Sequence, residues 1–221
     1  MPGAPLWFRR RNGWGAGMTH SRHHLALLTG LALLLGAAGC VPQDHGWASL
    51  YKPAQNPKIN VVMPPNAPSI SQEFLFTTND AKHIGIDVIG KVGDPVLAAA
   101  DGRVRGSFYE PAYGNRIEIE HGPDASGKRA VTVYKHLKDR LVSKGDVVAR
   151  GQQIATMGTT GALGGGIPHL HFELFRQSGG GEVPADPHRF WVGGPGQVTC
   201  FDPATVYDAT VFRTTYPVRC R

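Results

Sequence analysis

The stretch His169-Leu170-His171-Phe172-Glu173-Leu174-Phe175 alternates polar and apolar side chains along its length. Successive side chains of a β-strand point to opposite faces, so this period of two predicts a strand. Leu170 and Phe172 then point into a core, and His169 and His171 project together from the other face. The stretch therefore predicts a half-buried strand that carries a pair of histidines.

The rest of the chain from about Phe74 favours the same kind of structure. Short apolar runs are punctuated by glycine, and helical periodicity is weak throughout. Ile117-Glu118-Ile119-Glu120 alternates like a half-buried strand, and Val131-Thr132-Val133-Tyr134 is β-branched and aromatic. The predicted strands are 84–89, 96–99, 104–108, 116–120, 130–136, 154–157 and 169–175. We therefore predict a compact all-β domain.

A second cluster, His83-Ile84-Gly85-Ile86-Asp87, places a histidine and a carboxylate four residues apart. Residues at this spacing share a face if the segment is extended. A single histidine is ordinary in a core or on a surface, but two such clusters in one small domain favour a functional site. Catalytic zinc typically takes three nitrogen or oxygen ligands and keeps a fourth position for water. Two histidines and one carboxylate match that requirement.

The segment from His83 to Phe175 resembles the LytM/lysostaphin-type zinc endopeptidases, peptidase family M23. The matching motifs are His83-x-Gly-x-Asp87, Gly93-Asp94-Pro95-Val96, Ala100-Asp101-Gly102-Arg103-Val104, Tyr113-Gly114-Asn115, Tyr134-Lys135-His136-Leu137, Gly151-Gln152-Gln153-Ile154, Gly158-Thr159-Thr160-Gly161 and Pro168-His169-Leu170-His171-Phe172-Glu173. The resemblance implies an antiparallel β-sheet groove.

The resemblance also implies a set of site residues and an activity. It implies that His83, Asp87 and His171 ligate one zinc ion per chain, and that His136 and His169 assist the attacking water and stabilise the tetrahedral intermediate. The implied reaction is hydrolysis of peptide bonds in the stems or cross-links of peptidoglycan, which makes the protein a cell-wall hydrolase.

For three other residues we predict no direct part in the chemistry. Lys135 stands where the family often has a small residue, and strand alternation directs it away from His136, so we expect substitutions there to be tolerated. His121 and His188 are isolated in the sequence, and we expect them to be surface or structural histidines.

The N-terminus has the pattern of an export signal. Arg22 precedes an apolar run from Leu25 to Leu35, and Ala37-Ala38-Gly39-Cys40 follows it. This order of regions predicts a signal peptide over residues 1–39, with the start at Met1 or Met18. The last residues resemble a bacterial lipobox, which implies lipid attachment to Cys40 and a membrane-anchored protein at the periplasmic face of the envelope. Val41 after that cysteine favours the outer membrane.

The exported chain divides into three predicted parts. Residues 40–72 are rich in Pro, Asn, Ser and Gln and predict a flexible tether. Residues 73–177 form the peptidase-like domain, and residues 178–221 a C-terminal extension. Exported compartments are oxidising, so the pair Cys200 and Cys220 predicts a disulfide that staples the tail.

The charge of the chain argues against a nucleic-acid partner. The formal net charge is +6, but residues 1–39 hold four arginines and no acid. The remainder carries 19 basic and 17 acidic residues, which is not the basic surface that nucleic-acid binding requires.

Two other functions stay open at this point. Some relatives of the family have lost zinc ligands and activate other wall hydrolases instead of cutting the wall. An exported protease that acts on proteins could use the same site, although a lipid anchor beside the wall favours peptidoglycan.

Overall fold

The computed structural model describes residues 59–77 and 80–221. The predicted signal peptide, Cys40 and the first part of the predicted tether lie outside the described residues. The strands are β1 (Ile70–Gln72), β2 (Leu75–Thr77), β3 (Asp80–His83), β4 (Gly85–Ile89), β5 (Pro95–Leu97), β6 (Gly102–Glu110), β7 (Gly114–Pro123), β8 (Arg129–Arg140), β9 (Val147–Val148), β10 (Gln153–Met157), β11 (His169–Ser178) and β12 (Gly181–Ala185). Two short 3-10 helices cover Ala162–Gly164 and Pro187–Arg189. None of the helices in the described part is long and apolar enough to cross a membrane.

The strands form one large antiparallel sheet and one small one. The large sheet has the order β1-β4-β11-β8-β7-β6-β9, with β12 also paired to β11 and β10 paired to both β5 and β8. Strands β2 and β3 form a separate two-stranded sheet. This architecture is the predicted all-β fold, and each of the predicted strands is present with shifted ends.

Strand alternation explains where the core lies. In β11, Leu170, Phe172 and Leu174 are fully buried on the core side. In β7, Ile117 and Ile119 are fully buried, whereas the intervening Glu118 and Glu120 form ion pairs with arginines. Burial of each such aliphatic side chain stabilises the fold by about 2 kcal/mol.

The C-terminal extension is part of the same core. Trp191 and Tyr216 are fully buried, and their rings meet edge to face with centroids 6.0 Å apart. Cys200 and Cys220 form a disulfide with Cα atoms 6.0 Å apart.

The prediction of a flexible tether over residues 40–72 does not hold for its described part. Val62 forms a parallel bridge with Gln197, and the amide of Arg221 donates to the carbonyl of Asn66. Strand β1 then pairs with β4 at the edge of the large sheet. Residues 59–72 are therefore packed against the C-terminal extension and β4, because their backbone groups find partners there that composition alone does not indicate.

Candidate metal centre

Sheet register brings the two predicted clusters together. Asp87 on β4 lies directly opposite His171 on β11. Directly opposed residues of antiparallel strands point to the same face, so both side chains enter one groove. His83, at the end of β3, reaches the same point from beyond the bend at Ile84.

Three ligand atoms from these residues converge. His171 Nδ1 lies 2.7 Å from Asp87 Oδ1, and His83 Nε2 lies 3.2 Å from that oxygen and 3.1 Å from His171 Nδ1. Ligands held at about 2.0 Å in a zinc tetrahedron are about 3.3 Å apart. The three residues are buried and, among the described residues, they are the one group able to hold a metal ion. Their spacing and donor types fit zinc with only small adjustment.

The electrostatics of the centre favour a cation. Burial acts to raise the pKa of Asp87, but hydrogen bonds with His171 and His83 outweigh it and hold that pKa far below its ordinary value. Burial acts to lower the pKa of His171, but hydrogen bonds with Asp87 and Glu173 raise it to about 9. The negative charge that raises the pKa of His171 is also what a divalent cation requires.

Glu173 orients His171, one of the three predicted ligands. Its Oε1 lies 3.0 Å from His171 Nε2, and because a carboxylate accepts, Nε2 carries the proton. Nδ1 of the same ring faces Asp87, so a metal ion that displaced the Nδ1 proton would find the Nδ1 lone pair directed toward the three candidate ligand atoms. This hydrogen bond fixes the tautomer that metal binding needs.

The expectation that Lys135 is a tolerant position is wrong for this fold. Lys135 lies opposite His171 in the sheet, is 3% exposed, and places Nζ 2.6 Å from Glu173 Oε1. Its Nζ also lies 3.7 Å from the centroid of the Tyr113 ring. Lys135 therefore forms a buried ion pair with the carboxylate that orients a predicted metal ligand.

His136 explains why strand alternation gave the wrong prediction. It is the one described non-glycine residue with positive φ, at 60°. This left-handed conformation interrupts the pleat of β8, so Lys135 and His136 both face the site. Left-handed backbone at a non-glycine residue is strained and is frequent at functional sites.

The two remaining predicted histidines lie side by side next to the ligand group. The ring centroids of His136 and His169 are 4.8 Å apart, and those of His136 and His171 are 6.1 Å apart. The Nδ1 of His136 donates to the carbonyl of Thr160, and that of His169 to the carbonyl of Ile167, each at 2.8 Å. Nε2 of each neutral ring is therefore an acceptor.

Burial keeps both rings neutral. It lowers the pKa of His136 to about 4, with a further contribution from the nearby His169, and it also lowers the pKa of His169.

The Thr160 carbonyl that orients His136 lies in a loop that packs closely against the β6–β7 turn. Gly161 and Gly114 both have positive φ, and a Cβ on Gly161 would lie 2.2 Å from the amide nitrogen of Gly114. The glycines let the loop approach the β6–β7 turn closely enough to place Thr160.

The isolated histidines His121 and His188 are both buried and hydrogen-bonded. His121 contacts the carbonyl of Asp101 and the hydroxyl of Thr132, each at 2.7 Å. His188 Nε2 lies 2.7 Å from Glu73 Oε2. Sequence reasoning gave no role to Glu73, because its backbone carbonyl meets His83 only in the folded chain.

Comparison with known proteins agrees with this geometry. Residues 81–187 match the family model described as Peptidase family M23. The peptidoglycan DD-endopeptidase ShyC of Vibrio cholerae is 43% identical over 92 residues, which cover 42% of this chain and 20% of ShyC. The murein hydrolase activator NlpD of Escherichia coli is 38% identical over 101 residues, covering 45% of this chain and 24% of NlpD.

A solved structure described as a zinc-containing peptidase from Vibrio cholerae is 33% identical, with a TM-score of 0.44. Its alignment covers 57% of this chain and 38% of that one. The chain thus spans about a quarter or less of the length of the two curated relatives. With the motifs, the sheet and the family match in agreement, residues 81–187 belong to peptidase family M23.

Proposed function

We propose that this protein is a zinc-dependent endopeptidase that hydrolyses peptide bonds in the stems or cross-links of peptidoglycan. The observation that carries the proposal is the buried group of His83, Asp87 and His171 with two neutral histidines beside it. The name of ShyC, a peptidoglycan DD-endopeptidase, supports the choice of substrate.

The proposed ligand atoms are His83 Nε2, Asp87 Oδ1 and His171 Nδ1, which are separated by 2.7 to 3.2 Å. A zinc ion at this position supplies Lewis acidity, which activates water and polarises a peptide carbonyl. The protein side chains keep the three ligand atoms oriented toward one point, since Glu173 fixes the tautomer of His171 and the Glu73 carbonyl fixes that of His83.

His136 and His169 are the proposed proton-handling residues. Each presents an Nε2 acceptor, so either ring can take the proton that the attacking water loses as its oxygen bonds to the carbonyl carbon. When the C–N bond breaks, that proton goes to the departing amine. Until that transfer, the ring that took the proton can donate a hydrogen bond from Nε2 to the oxyanion of the tetrahedral intermediate.

The N-terminal predictions complete the proposal. Lipid on Cys40 would hold the enzyme at the periplasmic face of the envelope, with the outer membrane favoured by Val41. The residues that follow Cys40, predicted as a tether, would set how far the groove reaches into the wall. We propose that the folded domain includes residues 59–72 and the C-terminal extension in addition to the predicted 73–177.

A second candidate is activation of other wall hydrolases without cleavage, because the relative NlpD is named a murein hydrolase activator. We favour the enzyme because all five predicted site residues are present and converge here. A protease acting on exported proteins would need the same five residues, so only the substrate distinguishes it.

Digestion of purified peptidoglycan by the full chain tests the proposal. Mass spectrometry of the released fragments should show peptides with new amine and carboxylate ends for the wild type. Asp87→Asn and His171→Ala should lower the release more than 100-fold, as expected when a metal ligand is lost. The exposed Asp208→Asn makes the same chemical change as Asp87→Asn away from the site and should leave the release unchanged.

The same assay separates the alternatives. Release of fragments only when a second wall hydrolase is added would favour the activator, and faster cleavage of a glycine-rich protein than of the wall would favour the protease. Equal release by the wild type and His171→Ala would refute the proposed enzyme.

A further inference from the structure

The first predicted ligand, His83, is oriented by a residue outside the segment that matches the family. Its Nδ1 lies 2.8 Å from the backbone carbonyl oxygen of Glu73. A carbonyl oxygen only accepts, so in the neutral ring Nδ1 carries the single proton and Nε2 is the nitrogen with the lone pair. Nε2 is the atom that faces Asp87 and His171. The position of the Glu73 backbone therefore decides whether His83 presents a ligand atom to the metal.

The side chain of Glu73 is held in turn by the C-terminal extension. His188 Nε2 lies 2.7 Å from Glu73 Oε2, and His188 is fully buried. Trp191 Nε1 donates to His188 Nδ1 at 3.1 Å. Because an indole nitrogen only donates, His188 Nδ1 must accept and its Nε2 must carry the proton. His188 thus donates to the Glu73 carboxylate from a ring whose tautomer is fixed by Trp191.

Both ends of this chain of contacts are anchored in the fold. Glu73 directly follows β1, where Gln72 is paired with Asp87 and the Ser71 hydroxyl donates to the Asp87 carbonyl at 3.2 Å. At the other end, Trp191 is fully buried and forms a parallel bridge with Thr214. The contacts run without a break from the buried extension to the metal centre.

We propose that Glu73 and His188 are positioning residues for His83, so that segments on both sides of the family-matched residues 81–187 set the metal affinity of the site. The proposal rests on the proposed function, since it takes His83 as a zinc ligand. Loss of the His188 hydrogen bond frees the Glu73 carboxylate to turn toward water and lets its carbonyl move away from His83. Outer partners of metal-bound histidines change metal affinity by about 10- to 100-fold. Glu73 and His188 act one step further out, so we expect the lower end of that range.

Zinc affinity of the full chain, measured by competition with a chromophoric chelator, tests the proposal. Glu73→Ala keeps the carbonyl but removes the carboxylate, and His188→Leu removes the donor while filling the space. Each should raise the zinc Kd about 10-fold. His188→Gln restores a donor near the position of Nε2 and should return the Kd to within about threefold of the wild type.

A matched control separates positioning from general loosening of the extension. Phe212→Leu removes a buried aromatic ring of the extension, where Phe212 packs against Phe190 and His121 with ring centroids 6.0 and 4.9 Å apart. The described hydrogen bonds and ring contacts of Phe212 do not include Glu73 or His188. Phe212→Leu should lower the free energy of unfolding and leave the zinc Kd unchanged.

The outcomes distinguish the two proposals. Wild-type zinc affinity in both Glu73→Ala and His188→Leu overturns the positioning role and leaves the proposed function standing. A raised zinc Kd in Phe212→Leu also overturns the positioning role. If His188→Leu does not fold, Glu73→Ala alone decides. Absence of zinc binding by the folded wild type removes the proposed function and the positioning role together.

Discussion

Replacement of Lys135 by methionine should destabilise the protein strongly, although the sequence alone predicted that substitutions there would be tolerated. Methionine has nearly the length of lysine and no charge, so the substitution removes the ion pair without opening a large cavity. The side chains of Lys135 and Glu173 are 4% and 1% exposed and lie 2.6 Å apart. The Glu173 carboxylate would keep only its hydrogen bond with His171, because its Oε2 has no partner in the fold.

The expected loss follows from leaving a buried charge uncompensated. Breaking a buried ion pair by removing one partner costs about 3–5 kcal/mol. The substitution also removes the contact between the ammonium and the Tyr113 ring, worth about 2 kcal/mol in a desolvated site, but it relieves the burial of the lysine itself. Since these two effects oppose each other, we expect a loss of about 3 kcal/mol in the free energy of unfolding.

Urea unfolding of the full chain in EDTA, followed by circular dichroism, measures this loss without a contribution from zinc. A double-mutant cycle with Glu173→Gln should give a coupling energy of about 2 kcal/mol or more, because the double variant contains neither unpaired charge. Arg129→Met and Glu120→Gln provide the matched cycle, since those side chains are 66% and 40% exposed and should couple by less than about 1 kcal/mol. Equal coupling in the two cycles would refute the reasoning from burial.

Three further predictions concern other parts of the structure. In urea unfolding, the free energy of unfolding of His136→Gly should exceed that of His136→Ala by about 1 kcal/mol, because glycine adopts positive φ without strain. The reverse order would contradict the left-handed conformation. Burial lowers the pKa of His121 to about 4. The neutral form is therefore the folded one, and about 3 kcal/mol of stability should be lost as pH falls from 6.5 toward 4. His121→Asn should show a shallower loss over that range. Zinc at 100 times its Kd should raise the free energy of unfolding of the wild type by about 2.7 kcal/mol, which thermal melts with and without zinc detect as a higher Tm. The Tm of His171→Ala should not change when zinc is added.

The central strands were predictable because their side chains alternate and their pairing follows from that alternation. Once Leu170 and Phe172 are placed in the core, His171 must face the opposite side, and Asp87 meets it across the sheet. The short strands β1, β2, β3, β9 and β12 were not predicted, because segments of this length carry little periodicity, and among the strands of up to five residues only β4, β5 and β10 were recognised as apolar runs. Their extended conformation comes from the edges they pair with.

The contacts of Lys135 and His188 could not be predicted from the sequence, for different physical reasons. The alternation rule fails at Lys135 because the positive φ of His136 shifts the pleat, and a non-glycine residue gives no sign of such a conformation in the sequence. Asp186 lies two residues before His188, but its carboxylate accepts from the His188 backbone amide and gives no sign of what the ring contacts. Its partner Glu73 lies 115 positions away in the chain, and only the folded core brings the two together.

The position of β1 determines how much of the chain the candidate metal centre needs. In the order β1-β4-β11, the ligand strand β4 has a neighbour on each side. Without residues 70–72, β4 would be an edge strand, with unpaired backbone groups on the side opposite to His171. Edge strands twist and fray more readily than central ones, and Asp87 must hold its carboxylate within a few tenths of an ångström to meet two histidines. A fragment limited to residues 81–187 would therefore keep every predicted ligand and still lack the strand that holds Asp87 in place.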